Sequence, residues 1–419
     1  MIIAGTETRA PGIAWRGWLG WGLAALFFGY GWALRVSPSV MVGDLMRDFA
    51  VGAAALGHLS AMYLYPYAVL QLPVGVMMDR IGPRRLMALA AGLVGIGCIV
   101  FAMAEVVAGA YLGRFLIGVG SAFTWVGVLS VIAQWFPPHR FAMLGGFGQF
   151  IGMGCAAFGQ GPIAALVETQ GWRGTLWLFA AAGLALALLI ALVNRDRPHP
   201  GAGEARLTDG LRAVLRNRQS WLYAICAMAM ITPCMSFGGL WGVPYLNAAY
   251  GIDRQAAAFI VSLMFLGLGC GAPLTGWISD RLGRRKPLVM TGLAAVVLCM
   301  LALIYLPGLP LAGIAGLIFL CGVASATFVL CFAGSRDHNP GWASGVAMAL
   351  VNALVIATGA LFQPLLGAIL DLLWDGTVAD GVRVYAAETY RQAFIALPAF
   401  GLIGFLLSPL LRDAKGRVP

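Results

Sequence analysis

The sequence predicts an all-α membrane protein with twelve spanning helices arranged in two related halves. Three observations predict it. Of its 419 residues, 60% are hydrophobic and only 11% are charged, whereas a soluble domain carries roughly 25% charged residues to wet its surface. Apolar stretches near the roughly 20 residues needed to cross a hydrocarbon core recur along the whole chain. A short charged motif occurs twice, half a chain apart.

Reading from breaker to breaker gives the twelve stretches as 18–43, 56–78, 86–105, 107–133, 142–166, 174–194, 220–247, 256–279, 287–306, 310–333, 343–371 and 391–411. The runs are continuous rather than alternating, which excludes an outer-membrane barrel. The first run is too long for a cleavable signal and contains Arg35, so it is expected to be retained. Orientation follows from the basic residues. With both termini inside, the basic residues after the second, fourth, eighth and tenth stretches, those of the 195–218 connection and those of both termini face the cytoplasm. That placement holds about twenty of the 27 Lys and Arg, as the positive-inside rule expects. Arg47, Arg173, Arg254, Arg383 and Arg391 fall outside. The expected location is the inner membrane, multi-pass. Topology accounts for the net charge of +10, and nucleic acid is not needed as a partner. The eight cysteines all lie inside apolar segments with no CxxC pair and read as small buried hydrophobes, with no metal site or cofactor expected.

The longest connection is polar and Pro/Gly-rich at its start, and divides the chain into six helices at 1–194, a linker at 195–219 and six helices at 220–419. The halves repeat. Gly75-Val-Met-Met-Asp79-Arg80-Ile-Gly82-Pro83-Arg84-Arg85 follows the second stretch, and Gly276-Trp-Ile-Ser-Asp280-Arg281-Leu-Gly283-Arg284-Arg285-Lys286 follows the eighth. Pro73 mirrors Pro273, Gly145 mirrors Gly345, and Gly161-Pro162 mirrors Gln363-Pro364.

This duplicated G-x-x-x-D-R-x-G-R-R loop in a twelve-helix chain resembles the major facilitator superfamily. The resemblance covers essentially the whole chain and departs from the pattern at Pro83, which stands where the second copy has Arg284. It implies two pseudo-symmetric six-helix bundles around a central cavity that opens to alternate sides, and a monomer. It also implies gating roles for Asp79, Arg80, Gly82, Arg84, Asp280, Arg281, Gly283 and Arg284. In that scheme Asp79 latches the start of the eleventh helix near Ser344 and Gly345, and Asp280 latches the fifth near Met143, each carboxylate meeting a helix N-terminus.

Two basic residues interrupt apolar helices, Arg35 in the first and Arg114 in the fourth. A charge in hydrocarbon costs at least about 2.5–3.5 kcal/mol, so both are expected to face the interior. Counting from the helix ends places both roughly 10–12 Å below the outer surface. No Asp or Glu falls in the middle of a stretch to neutralise them. In the resembled family the first and fourth helices line the cavity, so both guanidiniums point to one small organic anion, a carboxylate whose oxygens match the arginine fork. Arg114 lies in Arg114-Phe-Leu-Ile-Gly118-Val-Gly120, a fourth-helix motif found across the superfamily whatever the solute. Arg35 is similar to the first-helix arginine of the anion:cation symporters, the alternative being that it snorkels to Asp44 or Asp48.

Further substrate-binding candidates are Tyr63 and Gln71, which share a helical face with Tyr67, and Trp241 in a stretch broken by Gly238, Gly239 and Pro244. There is no P-loop of the form G-x-x-x-x-G-K-[ST], so transport is expected to be secondary, by proton-linked symport or by exchange, with His58 as the candidate proton-coupling residue. Two rivals stand beside uptake of an anion. One is efflux of drugs or metabolites, favoured by the glycine series of Gly148, Gly161 and Pro162 but interrupted at Ala157 and Ala165. The other is a non-transporting receptor. No nucleophile–base pair or cofactor fingerprint suggests an enzyme.

Overall fold

The computed structural model describes residues 13–137, 140–196, 207–306, 308–379 and 382–413. Among the described residues the chain is helical almost throughout, and the one pair of strands is a two-residue antiparallel hairpin, Val378–Ala379 (β1) with Val382–Arg383 (β2). In chain order the helices are α1 (Ile13–Val36), α2 (Val42–Phe49), α3 (Ala53–Ile81), α4 (Pro83–Ala102), α5 (Val107–Ser121), α6 (Phe123–Trp135), α7 (Phe141–Val193), α8 (Leu207–Arg216), α9 (Arg218–Pro233), α10 (Gly242–Tyr250), α11 (Arg254–Leu282), α12 (Lys286–Tyr305), α13 (Leu311–Ser325), α14 (Val329–Asp337), α15 (Ser344–Leu372), α16 (Ala387–Phe394) and α17 (Ala396–Leu407). Nine segments among the described residues are long and apolar enough to cross a membrane. Hydrocarbon offers no partner for a free N–H or C=O, so a chain this apolar satisfies its backbone within helices.

Two of the segments that differ from the simple spans expected show the cause in their own residues. The first apolar run does not reach 43 as one helix. It ends at Val36, where Ser37-Pro38-Ser39-Val40 makes a 3-10 turn, with Ser37 and Ser39 donating to the carbonyls of Leu34 and Val36. Pro38 lacks an N–H and so cannot continue the ladder. The fifth and sixth runs join as α7, whose 53 residues would reach about 80 Å if straight. The chain instead reverses at Gly171, with φ 72° and ψ 168°, a conformation that only glycine adopts at little cost. Gly29 packs on Cys155 before the turn, and Tyr30 donates to the carbonyl of Phe179 after it.

The internal repeat appears in the packing. Gly82 and Gly283 end α3 and α11 with φ of 93° and 62°. The helix that follows each glycine is capped by a carboxylate that stands just past the sixth or the last apolar stretch. Asp196 accepts from the Arg84 N–H at 2.8 Å, and Asp413 accepts from the Arg285 and Lys286 N–H groups at 2.9 Å. An anion at the positive end of a helix is stabilising. These loops mark one end of the bundle, called here the α8 end. The opposite end carries α2.

Candidate functional site

The site grows from the last turn of α1. Arg35 and Trp32 stand three residues apart on one helical face, and both are buried, each 7% exposed. The Arg35 guanidinium carbon lies 4.3 Å from the Trp32 ring centre, 4.9 Å from that of Tyr67 and 5.3 Å from that of Tyr63. Tyr63 and Tyr67 stack one turn apart on α3, at 6.0 Å and 19°. A desolvated cation over an aromatic face gains about 2 kcal/mol, so three rings stabilise a charge that no carboxylate reaches. Among the described residues neither Arg35 nor Arg114 forms an ion pair. The snorkelling alternative is not the geometry found. Asp44 pairs with Arg47 and Arg254, and Asp48 with Arg47 and Arg173.

Arg114 lies beside this cluster, 5.1 Å from the Tyr63 ring, so one aromatic ring serves both cations. It is 1% exposed, and it donates from Nη1 to the Leu34 carbonyl at 2.8 Å and from Nη2 to the Ser60 carbonyl at 3.3 Å. It therefore ties α5 to α1 and α3 beside Arg35. The Nε atoms of both arginines are buried without a hydrogen-bond partner.

Toward the α2 end the cluster is roofed by the middle of the seventh apolar stretch. There Cys234–Trp241 forms a π-helical turn between α9 and α10, the kind of irregularity frequent at functional sites. Gln160, from α7, donates to the Gly238 carbonyl at 3.1 Å. Gln363, from α15, donates to the Met235 carbonyl at 2.7 Å. Trp241 is fully buried, and its indole donates to the Gln363 carbonyl at 3.0 Å, which puts it in the roof rather than against the arginines. Toward the α8 end, Gln71 accepts from Asn352 at 2.7 Å across α3 and α15, while its own Nε2 is buried and unpaired. His58 is exposed near the start of α3, its Nδ1 3.2 Å from the Tyr65 hydroxyl.

Of the expected gating residues, the side chains of Asp79 and Asp280 lie outside the described residues. Arg80, Arg281 and Arg284 are exposed, and Arg281 lies over Trp277 with 4.2 Å to the ring centre. Arg84 donates from Nε and Nη2 to the Ala191 carbonyl, a contact inside its own half. Arg285 binds Asp337, again inside its half.

Sequence reasoning overlooked Trp32 and Gln160. The spacing of Trp32 three residues before a buried arginine is a helical-face signal that was available. Gln160 stands beside Gly161-Pro162 and carries no spacing signal of its own. A third omission is Asp371, whose role needs two distant segments and had no local signal.

Comparison with known proteins places this geometry. The family model described as Major Facilitator Superfamily matches residues 21–243 and 234–418. The chain is 23% identical over 289 residues to the protein named "Probable sulfoacetate transporter SauU" of Cupriavidus necator, covering 63% of this chain and 65% of that one. It is 23% identical over 283 residues to the "Probable galactarate/D-glucarate transporter GudP" of Bacillus subtilis, covering 59% and 61%. The matches thus span less than two thirds of those relatives' length. Among solved structures, an inward-facing, unoccupied bacterial homolog of the human lysosomal transporter Spinster superposes with a TM-score of 0.79 at 18% identity, over 98% of this chain and 100% of that one, a likeness of fold. With the family model covering nearly its whole length, this multi-pass membrane protein belongs to the Major Facilitator Superfamily.

Proposed function

We propose that the chain is a secondary transporter that carries a small organic anion, a carboxylate or its close analogue, through a site centred on Arg35 by alternating access. One observation carries this reading. Arg35 is buried, ringed by aromatic groups instead of a carboxylate, and keeps a buried Nε–H without an acceptor. A buried donor left unpaired costs about 1–3 kcal/mol, and more when charged. An anion entering the site removes that cost. Arg114 acts beside it by holding α1 and α3 in place and adding positive potential, and Tyr63 and Gln71 line the same face. Trp241 closes the roof. The acids in the names of the two relatives, sulfoacetate and galactarate or D-glucarate, support the substrate class.

In this reading the twelve apolar stretches form two six-helix bundles, 1–194 and 220–419, joined by 195–219. The arginine-rich α8 end faces the cytoplasm with both termini, and the protein sits in the inner membrane as a monomer. The duplicated loops around Asp79 and Asp280 guard the cytoplasmic mouth. Coupling is to protons, with His58 as the titrating group, or to a counter-flowing anion.

Uptake of radiolabelled sulfoacetate and D-glucarate into proteoliposomes tests the proposal. The wild-type protein is expected to accumulate at least one of them, and Arg35→Gln to lose at least tenfold of that uptake. Equal uptake by Arg35→Gln, or drug extrusion by wild type with no acid uptake, overturns it. Drug extrusion would favour the efflux reading. Uptake driven by an internal acid load but not by a proton gradient assigns exchange.

A further inference from the structure

The face of α1 that carries Arg35 holds a second buried donor with no acceptor, the indole Nε1 of Trp32. The two residues are three apart on one helix, so their side chains project from adjacent turns toward one side. They are in contact, the guanidinium carbon 4.3 Å from the centre of the Trp32 ring. Each is more than nine-tenths buried. Buried side-chain donors are nearly always paired, and an indole has a single donor and no acceptor with which to compensate. Two unpaired donors on side chains in contact are what a group that brings acceptors would satisfy.

We infer that Trp32 Nε1–H and Arg35 Nε–H together form the binding subsite for one oxyanion group of the solute, each donating to one of its oxygens. This rests on the proposed anion site and names a residue that binds the anion directly. The alternative role for Trp32 is as an aromatic wall for the arginine only, a role that the rings of Tyr63 and Tyr67 already fill on its other sides. A wall needs a ring face and no N–H. The subsite needs the N–H. A carboxylate or sulfonate presents two or three equivalent acceptor oxygens spaced to meet two neighbouring donors, and a neutral hydroxyl presents a single oxygen to both. The subsite therefore selects for the oxyanion and is indifferent to whether carbon or sulfur bears it.

The distinction is read with the purified full-length protein in detergent by isothermal titration with sulfoacetate and with D-glucarate, using the neutral polyol D-glucitol as control. Trp32→Phe keeps a ring against Arg35 and removes the donor. It is expected to bind the acid about tenfold more weakly with an unchanged melting temperature in the absence of ligand. Trp32→Leu removes ring and donor, and is expected to weaken binding further and to lower that melting temperature. Should Trp32→Phe fail to fold, benzothienylalanine incorporated at position 32 keeps the bicyclic shape and replaces only the N–H by sulfur, with the same tenfold loss expected. Binding of the acid as tight as wild type by a folded position-32 variant lacking the N–H overturns the inference and leaves the anion site standing. No binding of either acid by the wild-type protein overturns the anion reading itself, and this inference with it.

Discussion

The two ends of the bundle hold their halves together in different ways. At the α2 end the bonds cross from one half of the chain to the other. Asp371, on α15, accepts from the N–H groups of Ala53 and Ala54 at 3.1 and 2.9 Å, capping the N-terminus of α3. Tyr385 and Arg383 brace that carboxylate. Burial first, and then the bond to Asp371, pushes the Tyr385 hydroxyl above its usual range and keeps it a donor. Asp44 pairs with Arg254 at 2.7 Å, and Gln160 reaches Gly238. At the α8 end the same chemistry, a carboxylate on a helix N-terminus, stays inside each half, Asp196 on α4 and Asp413 on α12. Glycines tell the same story. A Cβ at Gly57 would stand 2.5 Å from the Gln363 carbonyl oxygen, and one at Gly367 would stand 2.3 Å from that of Ala53. At Gly75, Gly276 and Gly345 it would meet nothing within 4 Å, and at Gly145 only the Leu129 side chain of its own half, at 3.7 Å. The structure is thus a form sealed at the α2 end. Between the arginines and the α8 end, the described bond from half to half is the thin one of Asn352 to Gln71.

This contrast is open to direct attack. The largest effect is expected from Gly367→Leu, because backbone at 2.3 Å cannot yield and overpacking costs about 1–3 kcal/mol or more. The halves would part at the α2 end. A cysteine placed at the buried Ser39, in a background free of the native cysteines, would then react with an impermeant maleimide at least tenfold faster, and uptake would fall. Unchanged labelling would show that this contact does not hold the seal.

A smaller effect is expected from Asp371→Asn. It removes the charge from the α3 N-terminus and turns one accepting oxygen into a donor facing a donor, a loss of about 1–3 kcal/mol. Labelling at position 39 should rise several-fold. Asp196→Asn applies the same change inside one half, and should lower the melting temperature while leaving that labelling as it was. If both substitutions raise labelling alike, the distinction between the two ends is wrong.

The smallest effect concerns a bond at the α2 end that stays within one half. Burial alone would raise the pKa of Asp48. Hydrogen bonds from Trp172 and Arg173, with the charges of Arg173 and Arg47, outweigh it and hold the carboxyl below its usual range. A carboxylate depressed on folding stabilises fully above about pH 4, and this contribution fades as pH falls through the lower folded value. Asp48→Asn should therefore melt less steeply with acid between about pH 5 and about pH 3. The difference should not exceed about 2 °C, since the pair is partly solvated. Position-39 labelling should not change.

Much of this was written in the chain itself. Apolar length and the scarcity of charge sent the chain into lipid, because hydrocarbon tolerates neither unpaired backbone nor exposed charge. The duplicated Asp-Arg-x-Gly loops pointed to two related halves, and two arginines without nearby acids to a candidate site, since such charges must find an interior. What tertiary structure decided is how those groups are shared out. Both arginines looked equivalent by depth, yet Arg114 spends its Nη groups on the Leu34 and Ser60 carbonyls, and Arg35 meets aromatic faces instead. Trp241 looked like a cavity aromatic and became part of the roof. Asp371, the last residue of the eleventh apolar stretch, gave no local signal and caps a helix some 318 positions away in sequence. Depth, length and charge are properties of a single helix and can be counted along the chain. Which carbonyl a guanidinium meets, and whether a carboxylate caps its own half or the other, depends on which helices are neighbours, and only the packed bundle fixes that.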